Sequence, residues 1–305
     1  RGANIAETVR ALIAHHDQPF GDAANLPLYL LARELGGGVK VALQGDGGDE
    51  VFAGYRRYNV LAFQRVWRAI ARATPLLDRI PDGRLRQRAK RFMHAVGEHD
   101  AGRMMALLLT EETESPSPTR LFSEDARRQL RSDPFARYAT FAHRLGGLPP
   151  VQKMLHTDCS IILPDIFNEK VDRSTMAFGL EVRLPFLDNE LTEYVLGLPW
   201  QYKVHGLQKK WLLRRALRGT VPDSVLDAPK RGFGVPYGAW LRGPLRATLE
   251  EALFEGAACR AGLFDVASCR KTIDEHTAQS QNHGYLLYKM LQFALWYERY
   301  LYGTT

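Results

Sequence analysis

Residues 39–58 read Val39-Lys-Val-Ala-Leu-Gln-Gly-Asp-Gly-Gly-Asp-Glu-Val-Phe-Ala-Gly-Tyr-Arg-Arg-Tyr58, and the fold turns on them. Val39, Val41 and Leu43 alternate with less apolar neighbours, which predicts a short strand. Gly45, Gly47 and Gly48 then open a loop that carries two carboxylates, Asp46 and Asp49. A helical pattern resumes at Glu50, with Asp49 as its expected N-cap. Strand, glycine loop and helix N-terminus in that order form an anion site of the kind found in open parallel sheets. There the glycines let backbone N–H groups approach a phosphate, and the carboxylates hold an accompanying magnesium ion. The loop lacks the Gly-Lys-Ser/Thr ending of a P-loop, and Glu50 stands where a dinucleotide fingerprint needs a third glycine. Asp46 and Asp49 are three apart, not alternating, so a calcium loop is excluded as well. Taken alone, such a stretch also reads as a surface turn with glycines for geometry and acids for solubility.

Working outward, the helix–strand–helix unit spans residues 25–60. Asn25 is the expected N-cap of a helix to about Leu35, with Pro27 in its first turn, and Gly36-Gly-Gly leads into the strand. A helix over 5–15 and a loop at Asp17-Gln-Pro-Phe-Gly-Asp precede it. From Val60 to about Pro150 the pattern is helical and irregular, broken at Pro75, Pro81, Pro134 and Gly146. A second helical series begins at 151 and is interrupted at Pro164-Asp165. Helices follow near 165–177, 188–197, 208–218, 244–255, 266–279 and 284–301. The last is apolar nearly all round and is expected to be buried. The organisation is thus the end of an α/β core at 1–60, a helical insertion at 61–150 and a helical remainder at 151–305.

At 305 residues the chain has ample core for one large domain or two ordinary ones. No apolar run approaches a bilayer span, and no signal-peptide pattern opens the chain. Cys159, Cys259 and Cys269 show neither a disulfide nor a zinc pattern, so a reducing, cytoplasmic setting is expected. The net charge of +7 is concentrated in Arg56, Arg57, Arg65, Arg68, Arg72, Arg79, Arg84, Arg86, Arg88, Lys90 and Arg91. Without interleaved aromatics or an RNA-binding signature, these read as solvated helix faces.

Two further stretches gather charge. Asp165-Ile-Phe-Asn-Glu-Lys170-Val-Asp172-Arg-Ser-Thr-Met-Ala, continuing to Glu181-Val-Arg-Leu-Pro-Phe-Leu-Asp188, sets ionisable residues at helical spacing in an apolar region. Charges buried there need partners, so Asp165 and Lys170 are candidates for substrate contact or for structural ion pairs. Glu181 and Arg183 carry the same two readings. Ala228-Pro-Lys230-Arg231-Gly-Phe-Gly-Val-Pro places two cations on a loop whose backbone can come close to phosphate.

In this order, the loop Gln44–Tyr55, the segment 170–188 and Lys230-Arg-Gly-Phe-Gly-Val-Pro together resemble the synthetase domain of glutamine-hydrolysing asparagine synthetases. Asp17-Gln-Pro-Phe-Gly-Asp and Leu28-Tyr-Leu-Leu-Ala-Arg fit too. The resemblance covers about 1–60 and 151–245. It implies an adenine-nucleotide α-hydrolase-like parallel sheet with a largely helical C-terminal half. It also implies ATP and Mg2+ as cofactors, a β-aspartyl-AMP intermediate, and ammonia supplied by an upstream glutaminase domain. On this resemblance Asp49 is a magnesium ligand, while Asp46 and Lys230 are catalytic. Gln44, Gly45, Gly47, Gly48, Lys230 and Arg231 contact the nucleotide, and Asp165, Lys170 and Asp172 contact the acceptor.

The chain departs from Ser-Gly-Glu-Gly-Ser-Asp-Glu at the loop, with Gln44 for serine and Asp46 for glutamate, and Lys170 stands where many members have arginine. These changes fit a wider bacterial branch whose acceptors are not all aspartate. The Ser-Gly-Gly-x-Asp-Ser pyrophosphate loop and the glutaminase cysteine lie, in the family, upstream of Arg1. The chain therefore reads as the C-terminal part of a longer protein and, alone, as an incomplete ligase. The rivals are an amidotransferase for another carboxylate, including a β-lactam synthetase-like enzyme, and a basic helical RNA-binding module. No membrane partner is expected, nucleic acid is disfavoured, and a homodimer stays open.

Overall fold

Asn4 starts the first helix. Its side chain accepts from the backbone N–H groups of Ala6 and Glu7, so helix α1 (Ile5–His15) begins with its orphan donors satisfied. The computed structural model describes residues 4–72, 74–75, 84–109, 119–130, 133, 135–228 and 234–302. Lys230 and Arg231 lie outside them, as do Arg79 and the side chains of Arg84 and Arg88.

Helix α2 (Asn25–Leu35) follows, but its N-cap is Ala24, and Asn25 is the first helical residue. Asn25 is fully buried, with its amide 3.3 Å from His16 Nε2 and its carbonyl accepting from Ser174 Oγ. Asp22 Oδ1 instead caps the turn, accepting from Ala24 N–H. The polar side chain expected at the helix start thus faces His16 at the end of α1, while the backbone carbonyl of the same residue ties α2 to Ser174.

Strand β1 (Val41–Leu43) pairs in parallel with β2 (Glu181–Arg183), a strand that the sequence reading did not anticipate. The register is Val41 to Glu181, Ala42 to Val182 and Leu43 to Arg183. Glu181 N–H donating to Lys40 O and Gln44 N–H to Arg183 O extend the ladder at both ends. Val39, Val41 and Leu43 do alternate with the polar positions, yet they are 39, 52 and 74% exposed, so this apolar face is not a core face among the described residues.

Helix α3 (Gly48–Val51) has Gly47 as N-cap, with φ of 90°, and Asp49 sits in its first turn instead of capping it. Helix α4 (Arg56–Ala62) comes next. Beyond them the molecule is helical, as the periodicity predicts. Pro164 does not interrupt the second series: the chain runs helical from Pro150–Thr157, through a π-helical segment at Asp158–Asn168, into Glu169–Met176. Pro164 leaves one backbone carbonyl of that segment without its helical donor, yet the helical course continues through it.

The largest core gathers Val9, Leu12 and Leu26 with Leu249, Leu287 and Leu291. The closing helix Gly284–Leu301 is buried on most of its surface up to Leu295, and Tyr300 and Leu301 emerge at its end. A second core joins Tyr58 and Leu61 to Met104, Met105, Met154 and Leu155, tying α4 to the helices on either side of residue 150. Val51, Phe52 and Val195 form a third beneath the glycine loop.

Candidate active site

The glycine loop is held from below by the segment that follows β2. Pro185–Leu187 form one turn of 3₁₀ helix against it. A Cβ on Gly47 would lie 2.2 Å from Leu187 Cδ2, and one on Gly48 would lie 3.1 Å from Phe186. Both glycines are buried, while Gly45 is exposed. Glycine is therefore required at 47 both for its positive φ and for this close approach. Asp188, at the end of the same motif, caps the helix Asn189–Gly197 by accepting from Leu191 N–H. Glu181 and Arg183 pair with each other at 2.6 Å on the exposed side of β2.

Asp46 accepts from Gln44 Nε2 at 2.9 Å. Partial burial raises its pKa above the usual carboxylate range; Lys170 opposes the shift, and Asp49 and Asp22 add to it. Lys170 is the link to the next motif. Its ammonium lies 3.3 Å from Asp22 Oδ2 and 4.7 Å from the centre of the Phe167 ring. Asp165 forms an ion pair with Arg137. Asp172 is exposed on the helix Glu169–Met176 and stands apart from this group.

Asp49 is engaged by a residue that the sequence did not single out, Lys210, at 2.7 Å from Oδ1. Lys210 has a φ of 52°, left-handed for a residue with a Cβ, as it turns into the helix Trp211–Leu217. Gly54 makes room for the pair: a Cβ there would fall 1.7 Å from Asp49 Oδ1 and 2.5 Å from Lys210 Cε. The lysine pair in Gln208-Lys-Lys-Trp carries no sequence signal for this contact.

Beneath the loop lies a buried polar network. Glu50 is 2% exposed and accepts from Tyr55 Oη, and burial raises its pKa. Arg57 donates through Nε and Nη2 to Asp158 Oδ2, at 3.1 and 2.9 Å, and Tyr58 Oη donates to the same oxygen. Its guanidinium lies 3.8 Å from the centre of the Tyr55 ring. Arg57 is thus a buried structural cation, unlike Arg56, Arg65 and Arg72, which are exposed as the charge pattern predicts.

These elements border a cavity of about 1010 Å³. Gln18–Asp22, Tyr55, Arg57, Asp165 and Gly234-Val235 all line it. Three of the stretches singled out from the sequence, around Asp17, Asp165 and Lys230, therefore contribute to one wall. The loop at 44–49 is not part of the cavity lining; Asp46 feels the charges of Lys170 and Asp22, which pair with each other, and Asp22 lines the cavity.

The sequence profile described as asparagine synthase matches residues 1–298. The chain belongs to the asparagine synthase family. It is 34% identical over 303 residues to a putative glutamine-hydrolyzing asparagine synthetase of Mycobacterium tuberculosis (strain ATCC 25618 / H37Rv), covering 94% of this chain and 43% of the relative. Against glutamine-hydrolyzing asparagine synthetase 1 of Bacillus subtilis (strain 168) it is 28% identical over 298 residues, covering 94% and 44%. A more distant relative is amidase chyE of Penicillium rubens, 22% identical over 306 residues, covering 89% of this chain and 43% of the relative. The chain thus spans less than half the length of these asparagine synthase relatives.

The asparagine synthase family uses ATP. Among the described residues no group of three His, Cys, Asp or Glu side chains could hold a metal. Asp49 is partly exposed but balanced by the Lys210 ammonium, so a magnesium ion there would have to share or displace that partner and take its other ligands from nucleotide phosphates and water.

Proposed function

We propose that this chain forms the acceptor-facing part of an ATP-dependent, AMP-forming amidotransferase, a carbon–nitrogen ligase that uses glutamine-derived ammonia. The observation that carries the reading is that Asp46 of the glycine loop feels the charges of Lys170 and Asp22, which pair at 3.3 Å, with Asp22 lining the large cavity. The fold proposed for it is an adenine-nucleotide α-hydrolase-like sheet, of which β1 and β2 are two strands. In the first half-reaction a carboxylate oxygen bonds to the α-phosphorus of ATP, and the bond to the bridging oxygen breaks to release pyrophosphate. In the second, ammonia bonds to the acyl carbon, the acyl–oxygen bond breaks, AMP leaves, and the nitrogen gives up a proton.

Asp46 is suited to take that proton, because partial burial makes its carboxylate more basic than one in water. Asp49 would hold the magnesium ion, which supplies charge neutralisation for the leaving pyrophosphate. Gln44, Gly45, Gly47 and Gly48 are proposed to contact the nucleotide, together with Lys230 and Arg231. Lys230 is proposed to offset charge that develops in the transition state. Asp165, Lys170 and Asp172 are proposed on the acceptor side, with Lys170 the best placed of the three.

Aspartate, amidated through β-aspartyl-AMP, is the acceptor that the names of the relatives imply. A different carboxylate is the second reading, and the character of the cavity wall favours it. The test uses the full-length protein with ATP, Mg2+ and ammonium chloride. Asp46→Asn should retain acceptor-dependent ATP–pyrophosphate exchange while amide formation falls by on the order of 10²–10⁴. Loss of both to the same extent would remove Asp46 from the amination step.

A further inference from the structure

The cavity is walled chiefly by carbon. Phe20, Tyr55, Phe167, Tyr237, Tyr285 and Phe293, drawn from well-separated parts of the chain, bring aromatic rings to it. Among the described residues its charged wall positions are Asp22, Arg57, Asp165 and Lys289, and each is engaged from within the protein. Asp22 faces Lys170, Arg57 holds the buried Asp158, Asp165 pairs with Arg137, and the Lys289 ammonium lies 4.0 Å from the centre of the Tyr285 ring. A small zwitterion such as aspartate is gripped through both its α-carboxylate and its α-ammonium, and each needs a charge that the protein has not already matched. This wall offers rings instead. Its volume, about 1010 Å³, also reaches the upper end of the roughly 300–1,000 Å³ usual for ligand cavities.

Resting on the amidation reading above, we infer that the acceptor is a carboxylic acid with an aromatic body. Its ring lies among Phe167, Tyr237 and Tyr285, where offset and edge-to-face contacts are available. Its carboxyl group points to the Lys170 end, next to Asp46. Lys170 marks the junction: its stem and ammonium rest on the Phe167 ring, and its remaining N–H donors serve the acceptor oxygen. The acceptor is then selected by what its body covers, and the catalytic loop acts on the carboxyl group alone.

Two readouts keep this inference separate from the reading on which it rests. Saturation-transfer NMR on the full chain, with 3-phenylpropanoate, 4-hydroxycinnamate and aspartate as probes, tests the cavity. The aromatic acids should bind at least about tenfold more tightly than aspartate, the scale on which an apolar pocket discriminates. Ala24 lines the cavity, and Ala24→Phe should abolish the transfer to 3-phenylpropanoate by filling the space. Tyr285→Ala, a change in the opposite sense, should weaken the same binding, so the test does not hang on one variant's folding. AMP release by the full-length protein with the same three acids tests the amidation. Aspartate binding as well as the aromatic acids do, or aromatic binding untouched by both variants, would overturn the inference whatever the turnover. Aromatic binding blocked by Ala24→Phe but without AMP from any acid would leave the cavity assignment standing and overturn the amidation reading.

Discussion

Gly54 leaves no space for a side chain, because Asp49 and Lys210 meet where its Cβ would be. Gly54→Ala should therefore push the Asp49 carboxylate out of place without demanding an unusual φ. Magnesium-dependent nucleotide binding, measured by calorimetry, should weaken by about 10–100-fold, the range seen when a ligand's supporting contacts are lost. Thermal stability should change much less. Unaltered magnesium dependence would show that Asp49 is not the ligand. A second residue sets a pH limit. His16 is 1% exposed and stacked on Phe20, and burial, assisted by Arg173, lowers its pKa to about 4 despite Glu169 at 3.8 Å from Nδ1. The folded state holds the ring neutral while the unfolded chain protonates near 6.5. The stability this confers is complete above pH 6.5 and is lost as pH falls from there toward 4. The loss is roughly 3 kcal/mol for this separation of pKa values. Urea unfolding at pH 7 and pH 4.5 should show a smaller difference for His16→Asn than for the wild type. Residues of both kinds mark where sequence reading stops. That Asp46 and Asp49 stand where a strand gives way through a loop to a helix was legible from the glycines around them. Lys210 and His16 were not legible, because their partners are remote in sequence and their own neighbourhoods carry no pattern.

At the scale of elements, the glycine loop and the turn after β2 form one unit, although more than a hundred residues separate them. Gly47 combines a φ of 90° with a clash of any Cβ against Leu187. Gly47→Ala should cost about 1–3 kcal/mol from backbone strain plus the collision. Leu187→Ala in the same chain should relieve the collision alone, so the double variant should be less destabilised than the sum of the singles. Strict additivity in denaturant titrations would show that the loop moves away instead. The longer helices were legible from their period, with ends misplaced by up to a few residues, as where the helix expected from 208 begins at Trp211. Asn25 is another instance: a good cap by type, it is buried between His16 and Ser174. β2 was not legible, since Glu181-Val-Arg183 is a strand of three residues with two exposed charges. Pro164 misled because the chain stays helical around it, within the π-helical segment Asp158–Asn168, despite the donor it lacks.

Across the whole molecule, the Arg57–Asp158 pair joins the helix after the glycine loop to the segment that carries Asp165 and Lys170. Asp158 is 0% exposed at its side chain and Arg57 13%, so each charge depends on the other for its place in the interior. Such a pair adds little over an apolar replacement, yet losing one member leaves the other buried and unmatched. Asp158→Asn or Arg57→Met alone should then destabilise the protein by about 3–5 kcal/mol. Arg57→Met with Asp158→Leu should cost much less than the two single changes together. Tyr58 Oη keeps Glu50 O, at 3.4 Å, as an acceptor in that double variant. Because the pair ties the helix after the glycine loop to the segment that carries Asp165, on the function proposed above the single variants should also lose amide formation out of proportion to nucleotide binding. Unfolding titrations of the three variants, with acceptor-dependent AMP release measured alongside, decide this. Single variants that are as stable as the wild type would mean that water reaches the pair and that the two halves of the site are positioned separately.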